Sequence, residues 1–453
     1  MYLFKRIIKH FAILLATLPS VSMGATFGMD LLVNGFGTVC ASKSDLPKYN
    51  YASIPVYPFA TQLGTVNPYV ASLQYTPGYV GAERRWNFLP NSKFGLQFTA
   101  LFNDKFKAVT QLLAGAEIFD NNDFYVQMDW AYVQFNPFNE LDFQFGRFRL
   151  PSFYYSDYLD VNHAQPWVQP PEEVYFIVGD AFQNMDGIKG TYSYYLNDWT
   201  ATGKLWYGSM KEELIILTQN INVEVRDVIG GNLQIGNDRF SVGGSLMRSI
   251  YDTTLYNPFY GLITATEIAN GGAFQAAQNL QAILKDQDVP IIYVGLSFNA
   301  NITDNLSLLA ERASIFSRGI ISTAREGWYA SLSYSLSKFM LTGTYGFSRP
   351  LQTEINKYKA VQAFFTSPQY VNTIDKGSGA GQAAINLFQA YLGEQRSLGL
   401  DLRYDILASL ALKGAVKYIW PVGQSGYRQK YILNLVPTNR HIWVYRLSFD
   451  FVF

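Results

Sequence analysis

Apolar and polar residues alternate with a period of two in one run after another, from about residue 26 to the last residue. Successive side chains of a strand point to opposite faces, so each run reads as a strand with one apolar and one polar side. Bounded by their turns, the runs number sixteen. The first covers 26–39. Paired runs follow at 94–102 and 106–115, 124–135 and 141–150, 186–195 and 199–207, and 223–235 and 239–248. Further pairs lie at 291–299 and 306–312, 328–335 and 339–348, and 396–405 and 410–420. The last run is 441–453. Short turns such as Leu196-Asn197-Asp198 and Leu336-Ser337 alternate with long connections at 40–93, 151–185, 249–290, 349–395 and 421–440.

In the cleanest runs the two faces separate fully. Leu398, Leu400, Leu402 and Tyr404 share one face, with Asp401, Arg403 and Asp405 on the other. Leu410, Leu412, Val416 and Tyr418 oppose Lys413 and Lys417, and Ile292, Val294, Leu296 and Phe298 oppose Tyr293 and Asn299. The run 141–150 changes parity near Gly146, which predicts a bulge there, and 306–312 is irregular. A compact soluble domain rarely carries several structureless connections this long. A membrane barrel does, with tight turns at one end and long loops at the other, and an even strand count puts both termini at the tight-turn end.

The closing run is the most telling. Trp443, Tyr445, Leu447, Phe449, Phe451 and Phe453 fall on one parity, and Arg446, Ser448 and Asp450 on the other. It resembles the terminal strand of bacterial outer-membrane β-barrel proteins. That resemblance implies that Tyr445, Leu447, Phe449, Phe451 and Phe453 are the signal read by the barrel-assembly machinery, and that outer-membrane lipid surrounds the chain.

At the N-terminus, Lys5, Arg6 and Lys9 precede an apolar stretch, Phe11 to Leu18, and small residues end at Gly24. This is the pattern of a secretory signal peptide over 1–24, leaving 25–453 as the barrel. A spanning helix needs roughly 20 apolar residues, which no segment supplies. Without Lys5, Arg6 and Lys9 the 35 basic residues fall to 32, against 35 acidic, and predict no nucleic-acid partner. Cys40 is the single cysteine, so no internal disulfide forms. With 32 Tyr, 33 Phe and 8 Trp and only 15% charged residues, the composition suits aromatic girdles at two membrane interfaces. Together these give an all-β fold: a 16-stranded antiparallel transmembrane β-barrel with long external loops. Sixteen strands leave room for a water-filled channel.

The third connection at the long-loop end, 150–185, carries the most distinctive chemistry. It opens on Gly146-Arg147-Phe148-Arg149-Leu150-Pro151 and runs through Tyr154-Tyr155-Ser156-Asp157-Tyr158 to Trp167-Val168-Gln169-Pro170-Pro171-Glu172-Glu173-Val174-Tyr175. In strand count, export signal, closing strand and loop position the chain resembles the sixteen-stranded general porins of Gram-negative bacteria. That resemblance implies a homotrimer whose third loop folds into the lumen as a constriction. Acidic Asp157, Asp160, Glu172 and Glu173 would then face basic wall residues, for which Arg147, Arg149, Lys189, Lys204, Arg226 and Arg403 are the inward-parity candidates. Opposed charges across a waist set ion preference; the same residues read equally well as ion pairs that pin the loop. Residues 272–285, 358–365 and 383–392 carry helical periodicity and are expected to pack over the mouth or against a neighbouring subunit.

No pair of histidines has metal-ligand spacing, no cysteine cluster exists, and there is no nucleophile-elbow, P-loop or dinucleotide motif. His441 and Ser448 lie roughly 23 Å apart along one strand and on opposite faces. The expectation is a protein that is not an enzyme and carries no metal or cofactor. It would serve as an outer-membrane diffusion channel for ions and small hydrophilic solutes. A substrate-selective channel for phosphate, sugars or aromatic acids, or a barrel with adhesive or sensory loops, remains open.

Overall fold

A strand with one apolar face must bury it, and sixteen such strands joined edge to edge bury it in lipid if the sheet closes on itself. The computed structural model describes residues 23–24, 30–45, 82, 84–117, 123–177, 184–216, 219–253, 258–284, 287–319, 324–377, 379–390, 392–422 and 441–453. The reading of 1–24 as a signal peptide falls almost wholly outside them.

A two-residue segment, β1 (Met23–Gly24), pairs with the start of β2 (Asp30–Ser44). The wall continues through β3 (Lys93–Asn103), β4 (Phe106–Glu117), β5 (Asp123–Phe138), β6 (Leu141–Arg149), β7 (Asn184–Leu196), β8 (Trp199–Ile216), β9 (Gln219–Gly236) and β10 (Phe240–Thr253). It is completed by β11 (Val289–Asn301), β12 (Leu306–Ser317), β13 (Arg325–Leu336), β14 (Phe339–Pro350), β15 (Gln395–Leu407), β16 (Leu410–Pro421) and β17 (Ile442–Val452). Every strand from β2 to β17 pairs antiparallel with its sequence neighbours, and β17 pairs with β2, closing a sixteen-stranded barrel. At the seam the Gly35 and Phe453 backbones exchange two 2.9 Å hydrogen bonds. Gly35 and Gly37 lie under the rings of Phe453 and Phe451, where any Cβ would collide.

Strand order and facing follow the sequence pattern. Leu398, Leu400 and Leu402 are exposed on the outer face while Asp401 is buried inside; Leu412 and Val416 point out, and Lys413 and Lys417 point in. Strand ends differ. The first strand lies at Asp30–Ser44 rather than 26–39, so Cys40 belongs to the wall rather than to a loop. Strand β12 runs without a register break to Ser317, past the irregular 306–312. The tight turns gather at one rim. Asn197 (φ 51°) and Ser337 (φ 55°) take the left-handed conformation that a two-residue hairpin needs.

The bulge expected at Gly146 is on the neighbouring strand. Pairing runs unbroken through Gly146 on both sides. The register shifts instead in β5, where Asp129 stands without a partner between Met128 and Trp130. Gly146 has φ 128°, and a Cβ there would meet the Ala131 carbonyl oxygen at 2.3 Å.

The long connections between β10 and β11 and between β14 and β15 form the helices Pro258–Ala269, Gln275–Ile283, Gln352–Phe365 and Ala380–Ala390. They share one apolar core that includes Leu280, Val361, Phe364 and Phe388. Two loops far apart in sequence thus make a single helical cap at the long-loop rim. Lys357 fastens it by donating to the Gly319 carbonyl at 2.7 Å.

Candidate functional site

After β6 the chain turns into the barrel. Pro151 and two short 3-10 turns, Ser156–Tyr158 and Asn162–Ala164, break any extended path, and Pro170-Pro171 set up the helical turn Glu172–Tyr175. The loop satisfies part of its own backbone: Ser156 Oγ accepts from the Phe153 amide, and the side chains of Asn162 and Gln165 donate to the Val168 and Leu159 carbonyls.

The interior it meets is less aqueous than a charged lumen implies. Inward positions of β8 to β13 include Trp206, Val225, Met247, Ile291, Tyr293 and Tyr329, all buried in one core with loop residues Trp167, Val174 and Tyr175. Trp167 is 1% exposed, donates to Ser331 and Thr344, and meets Tyr329 edge-on at 5.5 Å. The Ser152 carbonyl accepts from wall hydroxyls of Ser245 and Tyr293 at 2.9 and 3.0 Å. Glu311, a buried wall carboxylate, accepts from the Tyr154 amide at 2.8 Å and from the Tyr175 hydroxyl at 3.2 Å. Glycine makes the closest approach possible. A Cβ on Gly327 of β13 would stand 1.9 Å from the Glu173 carbonyl oxygen, and one on Gly346 of β14 would strike the Glu173 carboxylate.

Each of the four loop carboxylates has a basic partner in direct contact rather than across a gap. Asp157 pairs with Lys204 at 2.6 Å. Asp160 pairs with Arg149 and, at 3.1 Å, with Lys93; Arg149 also reaches Asp129 in the β5 bulge. Glu172 bonds Lys417 and, at 2.9 Å, Arg446, and Glu173 bonds Lys417 at 3.1 Å and Ser397 at 2.7 Å. Lys413 donates to three loop carbonyls, those of Asn162, Gln165 and Trp167, while pairing with Asp450. Arg403 donates to the His163 and Gln165 carbonyls. Lys189 faces inward with its ammonium 5.0 Å from the Phe148 ring.

Two of the six predicted wall cations lie outside the barrel. Arg147 pairs with Asp186 where both are about half exposed, on the same side as Phe145. With no bulge at Gly146, the Phe143–Phe145 parity carries straight on to Arg147. Arg226 sits on the outer face at the long-loop rim with Asp227, Asp252 and Asp288. Asp227 (φ 51°) is an unpaired residue in β9 and reverses the parity that Ile229, Leu233 and Ile235 set. The cations missing from the predicted wall set, Lys93, Lys413, Lys417 and Arg446, stand on inward parities; Lys413, Lys417 and Arg446 show it in the alternation of their own strands.

Burial alone would raise the Glu172 carboxyl, but Lys417 and Arg446 hold it below the usual carboxylate range; Arg149 and Lys93 do the same for Asp160, and Lys204 for Asp157. A depressed folded value contributes stability above the unfolded value and loses it as pH falls. The hold of these ion pairs on the loop is therefore expected to weaken as the pH falls from about 5 to below about 4. Limited proteolysis of the loop across that range measures it; release on raising the pH instead would contradict the assignment.

A polar cavity of about 120 Å³ lies beside the loop, open to solvent on the β8–β12 side. Tyr154, Asp157, Tyr158, Lys204, Asn232 and Gln234 border it. Among the described residues no group of three or more His, Cys, Asp and Glu could hold a metal ion.

Two solved structures share the whole architecture. An outer-membrane channel, DcaP of Acinetobacter baumannii, is 10% identical with TM-score 0.51, covering 96% of this chain and 100% of its own. An anion-selective porin of Comamonas acidovorans is 12% identical with TM-score 0.51, covering 94% and 100%. In fold, the chain is similar to the outer-membrane porins. No protein-family model and no curated protein matches its sequence.

Proposed function

We propose that this chain forms a narrow channel in the outer membrane of a Gram-negative bacterium, passing ions and small hydrophilic solutes by passive diffusion. The observation that carries the reading is the polar cavity of about 120 Å³ between the inserted loop and the β8–β12 wall, with the Asp157–Lys204 pair on its border. Asp157 and Lys204 side chains are 39% and 20% exposed, whereas Glu172, Glu173 and Arg149 are buried. The constriction chemistry therefore belongs to Asp157 and Lys204, while Asp160, Glu172, Glu173, Arg149 and Arg403 hold the loop in place. The apolar outer face, with Leu398, Leu400, Leu402, Leu412 and Leu447 exposed, suits lipid. The same reading includes an export signal over 1–24, recognition of Tyr445, Leu447, Phe449, Phe451 and Phe453 by the assembly machinery, and a homotrimer.

Single-channel recording of the refolded protein in a planar bilayer across a salt gradient tests it. Small steps grouped in threes, with a reversal potential near zero, are expected; silence from a folded barrel would overturn the channel. Because the bordering charges oppose each other, Lys204→Gln is expected to shift selectivity toward cations and Asp157→Asn toward anions, each severalfold, read as opposite shifts in reversal potential. A selective channel is the second reading, favoured by the Tyr154 and Tyr158 rings beside the ion pair; saturable block of the current by one solute class would establish it.

A further inference from the structure

Three arginines interrupt the apolar outer wall within two residues of one height. Register aligns Arg312, Trp328, Phe347, Arg396 and Trp420 on the five adjacent strands β12 to β16. Two residues nearer the long-loop rim, Glu326 of β13 pairs across with Arg349 of β14. The Glu326 carboxylate accepts from both Arg312 and Arg349, whose side chains remain 57% and 53% exposed while Glu326 is 8% exposed. Arg349 and Arg396 both stand over the Phe347 ring, at 6.0 and 5.7 Å from its centre. Toward the tight-turn rim the next outward row is Ala330, Tyr345, Leu398 and Tyr418, and the row after it Leu332, Gly343, Leu400 and Val416.

That gradient, from arginine through aromatic to leucine, is how a barrel surface crosses from headgroups into hydrocarbon. Guanidinium groups facing lipid tails are costly, and one carboxylate against three guanidiniums leaves two positive charges uncompensated. Guanidinium has a fork of donors that matches phosphate oxygens, and a phenyl ring beneath keeps it extended.

We propose that Arg312, Arg349 and Arg396 form a docking site for a phosphorylated lipid headgroup in the leaflet at the long-loop end. Glu326 orients Arg312 and Arg349, Phe347 orients Arg349 and Arg396, and the acyl chains run down over Leu332, Leu400 and Val416. The row spans five strands, roughly 19 Å, wide enough for a headgroup bearing two phosphates and several chains. None of these side chains faces the lumen, so the site is independent of conduction.

The test uses the full chain purified in a nonionic detergent and equilibrated with diphosphoryl lipid A, phosphatidylcholine or inorganic pyrophosphate, with bound molecules counted by native mass spectrometry. Lipid A retained on each chain is expected, with phosphatidylcholine lost and pyrophosphate held at least about tenfold more weakly. The variant R312Q/R349Q/R396Q is expected to lose lipid A retention by about tenfold or more, and R312K/R349K/R396K to recover part of it. Heat-modifiable gel migration and unchanged conductance confirm that each variant folds. Equal retention by the wild type and the Gln variant overturns the proposal. So does pyrophosphate binding as tightly as lipid A, which makes the ligand a free anion. Loss of the oligomer in the Gln variant with lipid retention unchanged assigns the face to contact between copies, and likewise overturns it.

Discussion

Replacing Glu172 and Glu173 together with Gln is expected to open the barrel. The two carboxylates sit against Lys417, and Glu172 also against Arg446, deep inside the wall. Amides can still accept hydrogen bonds, but they leave two buried cations without countercharge. Breaking a buried ion pair from one side costs about 3–5 kcal/mol, because the surviving charge stays desolvated. The strain falls on the loop rather than on the wall, where strand ladders hold Lys417 and Arg446. The loop segment 162–175 should leave the β13–β17 wall, raising single-channel conductance severalfold and exposing the loop to protease. Unchanged conductance and protease resistance would show that apolar contacts around Trp167 hold the loop without the charges. Restoring neutrality by adding Lys417→Met and Arg446→Met to the double variant should recover part of the wild-type conductance.

Gly327→Val should release the same segment by shape alone. The inner face of β13 is bare at Gly327 so that the Glu173 backbone can lie against it, with the Cβ position 1.9 Å from the carbonyl oxygen. A Val side chain forces loop and wall apart by more than either backbone can absorb. Overpacking of this kind costs about 1–3 kcal/mol. Displacing Glu173 also separates it from Ser397 and Lys417. The expected result is a wider channel and a loop more open to protease, with the sixteen-strand wall still heat-resistant on gels. Gly343→Val serves as the control: it lies on the neighbouring strand's outer face, and a Cβ there meets nothing within 4 Å. Were both variants to conduct like the wild type, Gly327 would not set the loop's position.

The two variants attack one feature by charge and by volume, and only part of that feature could be read from the sequence. The wall was legible because a period-two pattern repeats across most strands and each tight turn marks a pair. The loop's position in the chain was legible as well. Arg147 and Arg226 were not, because facing depends on residues that drop out of register. Asp227 shifts the parity of β9 just after Arg226, and nothing in an alternating string of side chains marks one residue as unpaired. The reverse error arose at Gly146, where a change of pattern suggested a bulge and the backbone instead absorbed it as a positive φ, leaving the break to Asp129 across the ladder. Gly327 and Gly346 carry no periodic signal, so the contact they permit could not be foreseen. The apolar filling of the lumen was hidden for a related reason: Trp206, Met247 and Tyr293 fit an inward row, and a lone ring in such a row does not say whether water or another side chain will meet it.

The loop also ties together strands that the chain brings to one another last. Asp160 holds Lys93 of β3, Glu172 holds Arg446 of β17, and the turn Asn162–Ala164 packs against both β2 and β17. The joint between the first and last wall strands is thus strapped from within. In a barrel whose ends meet only through their edges, that joint is where the sheet would part sideways and admit an apolar molecule from the bilayer. Here parting would strip either Glu172 from Arg446 or Asp160 from Lys93. In the proposed channel, passage would then run along the barrel axis, and a greasy molecule dissolved in the surrounding membrane would find no side door at this joint.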